Sequence, residues 1–196
     1  MIDLATLGAG LRAPVLDSEQ VFRGALEAMS RPGRVIAVKP VIDTQPKALH
    51  AAAASLALAL LDQDTPLWLS PQLEPAAAYL RFHTGCPLAP ERNEAQFALL
   101  NALELERLDR FRCGTDEYPD RSATLIVQVP YLEEGTGVAL SGPGIRGQAR
   151  ASIGGLEERF FLQWARNHAL FPRGVDLFFS CGEQLMALPR TTKVEA

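Results

Sequence analysis

Two short stretches of this 196-residue chain hold the side chains best suited to gripping an anion. RFHTGCPL (81–88) offers Arg81, His83 and Thr84. If the stretch is extended, Arg81 and His83 project from the same side, with Thr84 adjacent. A guanidinium, an imidazole and a hydroxyl so placed hold a phosphate or phosphonate, or else they satisfy the backbone of a local loop; the local reading is favoured. LSGPGIRG (140–147) packs Gly142, Gly144 and Gly147 around a proline, with Arg146 available for an anion. A phosphate-cradling loop needs amide donors converging at a strand-to-helix junction. Here the next expected helix begins about ten residues later, and Pro143 has no N–H to donate. Gly142-Pro143-Gly144-Ile145 instead fits a type II turn, with proline second and glycine third.

Other candidates are weaker. Cys181 in FFSCGEQ ends an apolar run, but Phe179 stands where a nucleophile elbow has its first glycine, and the following residues read as a strand. A buried, inert thiol is the favoured reading. Asp62 and Asp64 in LDQDTP follow an apolar helix, where carboxylates are electrostatically unfavourable, and the sequence reads as a turn. Schiff-base chemistry needs a lysine near an apolar pocket. Lys39 precedes a proline, Lys47 opens a helix and Lys193 lies in the tail, so none is well placed. The cysteines (Cys86, Cys113, Cys181) and histidines (His50, His83, His168) are too scattered for a disulfide framework or a zinc site, and no metal is expected.

The elements that must position these groups follow from periodicity and caps. Asp17, with Gln20 three residues on, starts a helix that Pro32-Gly33 ends, with Val21, Phe22, Leu26 and Met29 on one face. A strand at 34–38 precedes a buried Ala/Leu-rich helix from Thr44 to Leu61. A strand at 66–70 leads through a Ser70-Pro71 cap into a helix over 72–81. A strand over 95–100, a helix in ALELERLDRFRCG (102–114) and a central strand at 122–129 come next. GVAL (137–140) and ARASI (149–153) pair across the glycine turn. A helix over 155–168 buries Leu156, Phe160 and Trp164, and strands at 175–181 and 184–189 flank Gly182-Glu183. The tail PRTTKVEA is left open between an edge strand, a docking segment and a frayed end. Together these predict one α/β domain over 1–196, a three-layer α/β/α sandwich with a mixed sheet.

Composition is that of an ordinary soluble domain, 47% apolar and 21% charged. A net charge of -4 argues against nucleic acid or an anionic membrane as partner. The excess of arginine, 16 against three lysines, is read as compositional bias accompanying the many alanines. MIDLATLGAG lacks a signal peptide's basic and apolar regions, and AAAASLALALL (51–61) is too short to cross a bilayer, so a cytoplasmic protein is expected.

In order along the chain, FRGALEAMSRPGRV, SLALALLDQDTPLWLS, LRFHTGCPL, SATLIVQV, LSGPGI and FPRGVDLFFSCGEQLMALPRTTKVE resemble the PhnH family, the H subunits of bacterial carbon–phosphorus lyase. The resemblance spans about nine-tenths of the chain and is weakest between Pro90 and Asp120. It implies a fold like the large domain of type I pyridoxal-phosphate transferases, without that cofactor. It further implies a homodimer that joins the G, I and J subunits in a core complex, with an ATPase-like L subunit. In the implied reaction a phosphonate attacks ribose C1 of ATP, adenine leaves, and a ribose 1-phosphonate 5-triphosphate forms. ATP is thus the substrate expected of the complex, and this chain is expected to be a structural subunit without turnover of its own. The resemblance transfers no catalytic residues, and the alternative is a binding module using Arg81, His83 and Arg146.

Overall fold

The computed structural model describes residues 8–38, 41–42, 45–105 and 107–195. Its centre is a six-stranded mixed sheet in the order β1-β8-β7-β4-β3-β2. The strands are β1 (Ile36–Ala37), β2 (Leu67–Leu69), β3 (Phe97–Asn101), β4 (Thr124–Gln128), β7 (Asp176–Cys181) and β8 (Gln184–Leu188). β2, β3, β4 and β7 are parallel, and β8 runs against both β7 and β1.

Strand alternation divides the core in two. Ile126 of β4, Phe178 of β7 and Leu185 and Ala187 of β8 face α1 (Pro14–Ser30), α2 (Ala51–Leu60) and α3 (Ala77–Thr84). Leu125, Val127, Leu177, Phe179, Met186 and Leu188 face the opposite way. There they meet Phe160 and Trp164 of α4 (Glu158–Ala169), together with a small antiparallel sheet. That sheet consists of β5 (Leu132–Ser141), flanked by β6 (Ala149–Ile153) and β9 (Lys193–Glu195). The central sheet is therefore covered on both faces, but one outer layer is part helix and part sheet rather than helical throughout.

Several expectations hold in detail. Val138↔Ala151, Ala139↔Arg150 and Leu140↔Ala149 pair across the glycine turn. For the tail, which the sequence leaves open among three fates, the structure gives the edge strand: β9 borders the small sheet, with Val194 opposite Leu140. α4 buries Phe160 and Trp164, and α2 is buried nearly all round, from Ala52 to Ala57.

Others are corrected. α1 starts at Pro14, whose missing N–H costs nothing in a first turn. Asp17 lies inside that turn, where its carboxylate accepts the Ala13 N–H at 2.6 Å. The inward face of α1 is Val21, Ala25 and Ala28, while Phe22 and Leu26 are 46% and 54% exposed. α2 begins at Ala51 with His50 as its cap; Thr44 and Lys39 lie outside the described residues. Lys47 sits in an exposed turn ahead of α2. Pro75 gives the Pro71–Ala76 segment a 3-10 path, and α3 then runs on to Thr84 rather than stopping at 81.

The helix expected over 102–114 is absent. In its place are two 3-10 turns, Ala102–Glu104 and Leu108–Arg110. The buried positions, Ala102, Leu105, Leu108 and Phe111, recur every three residues. That spacing drifts about 60° per step around an α-helix, whereas side chains three apart eclipse in a 3-10 turn.

Candidate functional site

α3 separates the residues that an extended reading would align. Two positions apart on a helix, Arg81 and His83 point about 200° from one another. Arg81 is exposed. His83 Nε2 meets the Gly8 carbonyl at 3.2 Å, and its ring packs on Tyr79 with centroids 4.5 Å apart. Tyr79 donates to the Ala9 carbonyl at 3.2 Å, and burial raises its phenol above the usual range. Both rings thus pin the segment that enters α1. Thr84 closes α3: its hydroxyl donates to the Leu80 carbonyl at 2.8 Å and accepts the Cys86 N–H at 3.1 Å. Gly85 then turns the chain in the left-handed region, at φ 74°.

In α/β sheets, ligands sit beyond the carboxyl ends of parallel strands. Here that end is closed by side chains bonded to their own fold. Gln128, the last residue of β4, accepts the His50 N–H at 2.5 Å and donates to the Ala48 and Asn101 oxygens at 2.9 and 3.2 Å. His50 Nδ1 lies 2.9 Å from the Ser180 carbonyl, and Asn101 and Glu104 complete a capping box.

The remaining candidates resolve simply. Cys181 is half-buried rather than fully enclosed; its thiol donates to the Pro130 carbonyl at 3.3 Å, and Gly182 turns directly into β8. Burial raises the Cys113 thiol above its ordinary range. Asp62 and Asp64 build the expected turn, with the Asp64 N–H on Asp62 Oδ1 at 2.9 Å. Lys193 pairs with Glu195 at 2.6 Å on β9. Among the described residues no cluster of three or more His, Cys, Asp or Glu is placed to hold a metal, and no helix is long and apolar enough to cross a membrane.

Arg146 belongs to a different place from the α3 residues. The Gly142–Ile145 turn closes with the Ile145 N–H on the Gly142 carbonyl at 3.1 Å, and Gly144 has φ 83°, as a type II turn requires. The turn backs onto the end of α1 so closely that a Cβ on Gly144 would lie 2.1 Å from the Ser30 carbonyl oxygen. Between them lies an open groove of about 440 Å³, lined by Arg31, Arg34, Arg146 and Arg150 with Glu134. Arg81, His83 and Thr84 are not among its lining residues. Of these arginines the sequence singles out Arg146 alone; Arg31 falls at the end of the first helix and Arg34 opens the strand expected at 34–38. Arg150 carried a weaker signal, a charged position within a pairing strand.

Sheet, covering layers and groove define a mixed α/β domain in which the candidate side chains of α3 and the strand ends bond to their own fold, while a cationic groove stays open. The family model described as "Bacterial phosphonate metabolism protein (PhnH)" matches residues 9–195, and the chain belongs to that family. It is 40% identical over 185 residues to the "Alpha-D-ribose 1-methylphosphonate 5-triphosphate synthase subunit PhnH" of Rhizobium meliloti (strain 1021), covering 93% of this chain and 92% of the relative. It is 29% identical over 176 residues to the "Putative C-P lyase subunit protein HtxG" of Stutzerimonas stutzeri, covering 90% of this chain and 85% of that one.

Proposed function

We propose that this chain is a subunit of the enzyme complex that makes ribose 1-methylphosphonate 5-triphosphate for phosphonate breakdown. Its role there is assembly rather than independent turnover. The observation that carries this reading is the match to a synthase subunit at 40% identity across nearly the full length of both chains. The self-bonded Gln128, His83 and Thr84 side chains support a structural part for the residues that would otherwise be candidates for chemistry. Partners corresponding to the G, I and J subunits complete the core, with L acting on the same substrates, and ATP is a substrate of the whole rather than of this chain. The reading places the complex in the cytoplasm, with no cofactor held by this subunit. The likeness to the large domain of pyridoxal-phosphate transferases draws support from the mixed sheet with β8 as its antiparallel strand and helices on both faces.

The subunit acts as a homodimer in this reading. An exposed apolar stripe of α1 supports it: Val15, Phe22 and Leu26 lie at helical spacing, and Phe22 and Leu26 border an open groove beside the central sheet.

The assembly role is tested by co-expressing the partner subunits with and without this chain and measuring adenine release from ATP and methylphosphonate. Release is expected from the full set, with none from this chain alone and a loss of at least about tenfold when it is omitted. Adenine release by the purified chain alone overturns the reading.

A further inference from the structure

We infer that the groove between the end of α1 and the β5–β6 loop binds a phosphate oxyanion, free or carried on a larger ligand. The inference concerns a site on this chain by itself and does not rest on the assembly role.

Four arginines from three separate segments converge on one concavity. Arg31 and Arg34 flank the Pro32-Gly33 turn, Arg146 sits in the glycine loop and Arg150 lies on β6. All four are exposed, and Glu134 is the acidic residue among those lining the groove. Local charge is therefore strongly positive on a molecule whose net charge is -4, and a concave cationic surface concentrates anions.

The fold engages only two of the four guanidinium groups. The carbonyls at the end of α1 are met by backbone amides: the Arg31 N–H reaches the Glu27 and Ala28 carbonyls, and the Arg34 N–H reaches that of Arg31 at 3.1 Å. Glu134 is partly engaged, accepting the Val35 N–H at 2.6 Å. Arg31 makes a long, exposed pair with Glu27 at 3.4 Å, and Arg150 donates to the Gly137 carbonyl at 2.8 Å. Arg34 and Arg146 have no side-chain partner among the described residues, and both line the groove. Arginine's planar fork matches phosphate oxygens two at a time, so two free forks facing one space favour this chemistry over a single carboxylate.

The walls are held at a fixed separation, which lowers the ordering cost of binding. Gly144 rests against the Ser30 carbonyl, Gly33 against Leu140, and Glu134 ties β5 to the residue after Arg34.

The experiment is calorimetric titration of the full-length chain in phosphate-free, low-salt buffer, with inorganic pyrophosphate as the main probe and orthophosphate and ATP as parallel arms. Saturable binding at one site per chain is expected. Arg34→Ala with Arg146→Ala should weaken it at least about tenfold, while far-ultraviolet circular dichroism and melting temperature stay as in the parent. Equal affinity for pyrophosphate and ATP identifies the free oxyanion as sufficient, and tighter ATP binding identifies a phosphate ester. Absence of saturable binding by the parent chain, or unchanged affinity in the double variant, overturns the inference. The assembly role stands or falls separately, on adenine release.

Discussion

The Arg190 guanidinium reaches across three loops. It meets both Asp176 oxygens, from Nε at 3.1 Å to each and again through Nη2. Nη1 donates to the Pro119 and Pro172 carbonyls at 3.0 and 3.3 Å, and Nη2 also meets the Ser122 hydroxyl. Asp176 in turn accepts the Arg190 backbone N–H at 2.7 Å. With the two side chains 12% and 23% exposed, this pair is shielded enough that losing one partner strands a charge. Arg190→Met should cost about 3 kcal/mol, lowering the melting temperature by about 6 to 12 °C for a domain of this size. Arg190→Lys should recover little, because an ammonium cannot serve carboxylate, hydroxyl and two carbonyls at once. A shift below about 2 °C for Arg190→Met in thermal denaturation would show that the network is dispensable. Nothing in the sequence marked this pair. Fourteen residues separate its members, and only the β7–β8 hairpin, which places the chain after β8 beside the start of β7, brings them together.

At the scale of elements, the glycine loop shows which local signals are legible. Proline second and glycine third in Gly142–Ile145 specify a type II turn through backbone sterics alone, and the turn forms. Its packing is not local. Gly144 is crowded by the Ser30 carbonyl, whereas Gly147, with a similar φ of 74°, has open space around its Cα. Gly147→Ala should therefore cost only the left-handed backbone penalty of about 1 to 2 kcal/mol. Gly144→Ala carries the same penalty and a backbone clash, so the loop must shift and the loss should be at least about twice as large. Chemical denaturation of the two variants compares them; equal losses would mean that the loop yields without strain. Periodicity served α4 well, since Phe160 and Trp164 are four apart and buried. It misled at 102–114, where apolar positions three apart looked helical but fitted 3-10 turns. α3 shows the same limit for function: a motif that aligns Arg81 and His83 in a strand separates them on a helix.

For the whole molecule, the exposed stripe on α1 carries a prediction about assembly. Leu26→Lys removes apolar area and places a charge on that face without touching the inward Val21, Ala25 and Ala28. The variant should sediment as a monomer with its melting temperature within about 2 °C of an equally monomeric dilute parent. An unchanged dimer in analytical ultracentrifugation would move the interface elsewhere, and a monomeric parent would remove the dimer altogether. The sequence by itself determined the α/β class, the central strands, the β5–β6 hairpin and the family resemblance. Each depends on short-range patterning or on ordered segments. Tertiary structure alone decided the mixed outer layer, the pinning of the entry segment by Tyr79 and His83, and the closure of the strand ends by Gln128. It also assembled the four-arginine groove, because Arg31 and Arg146 are 115 residues apart and meet only where the glycine loop folds back onto the end of α1.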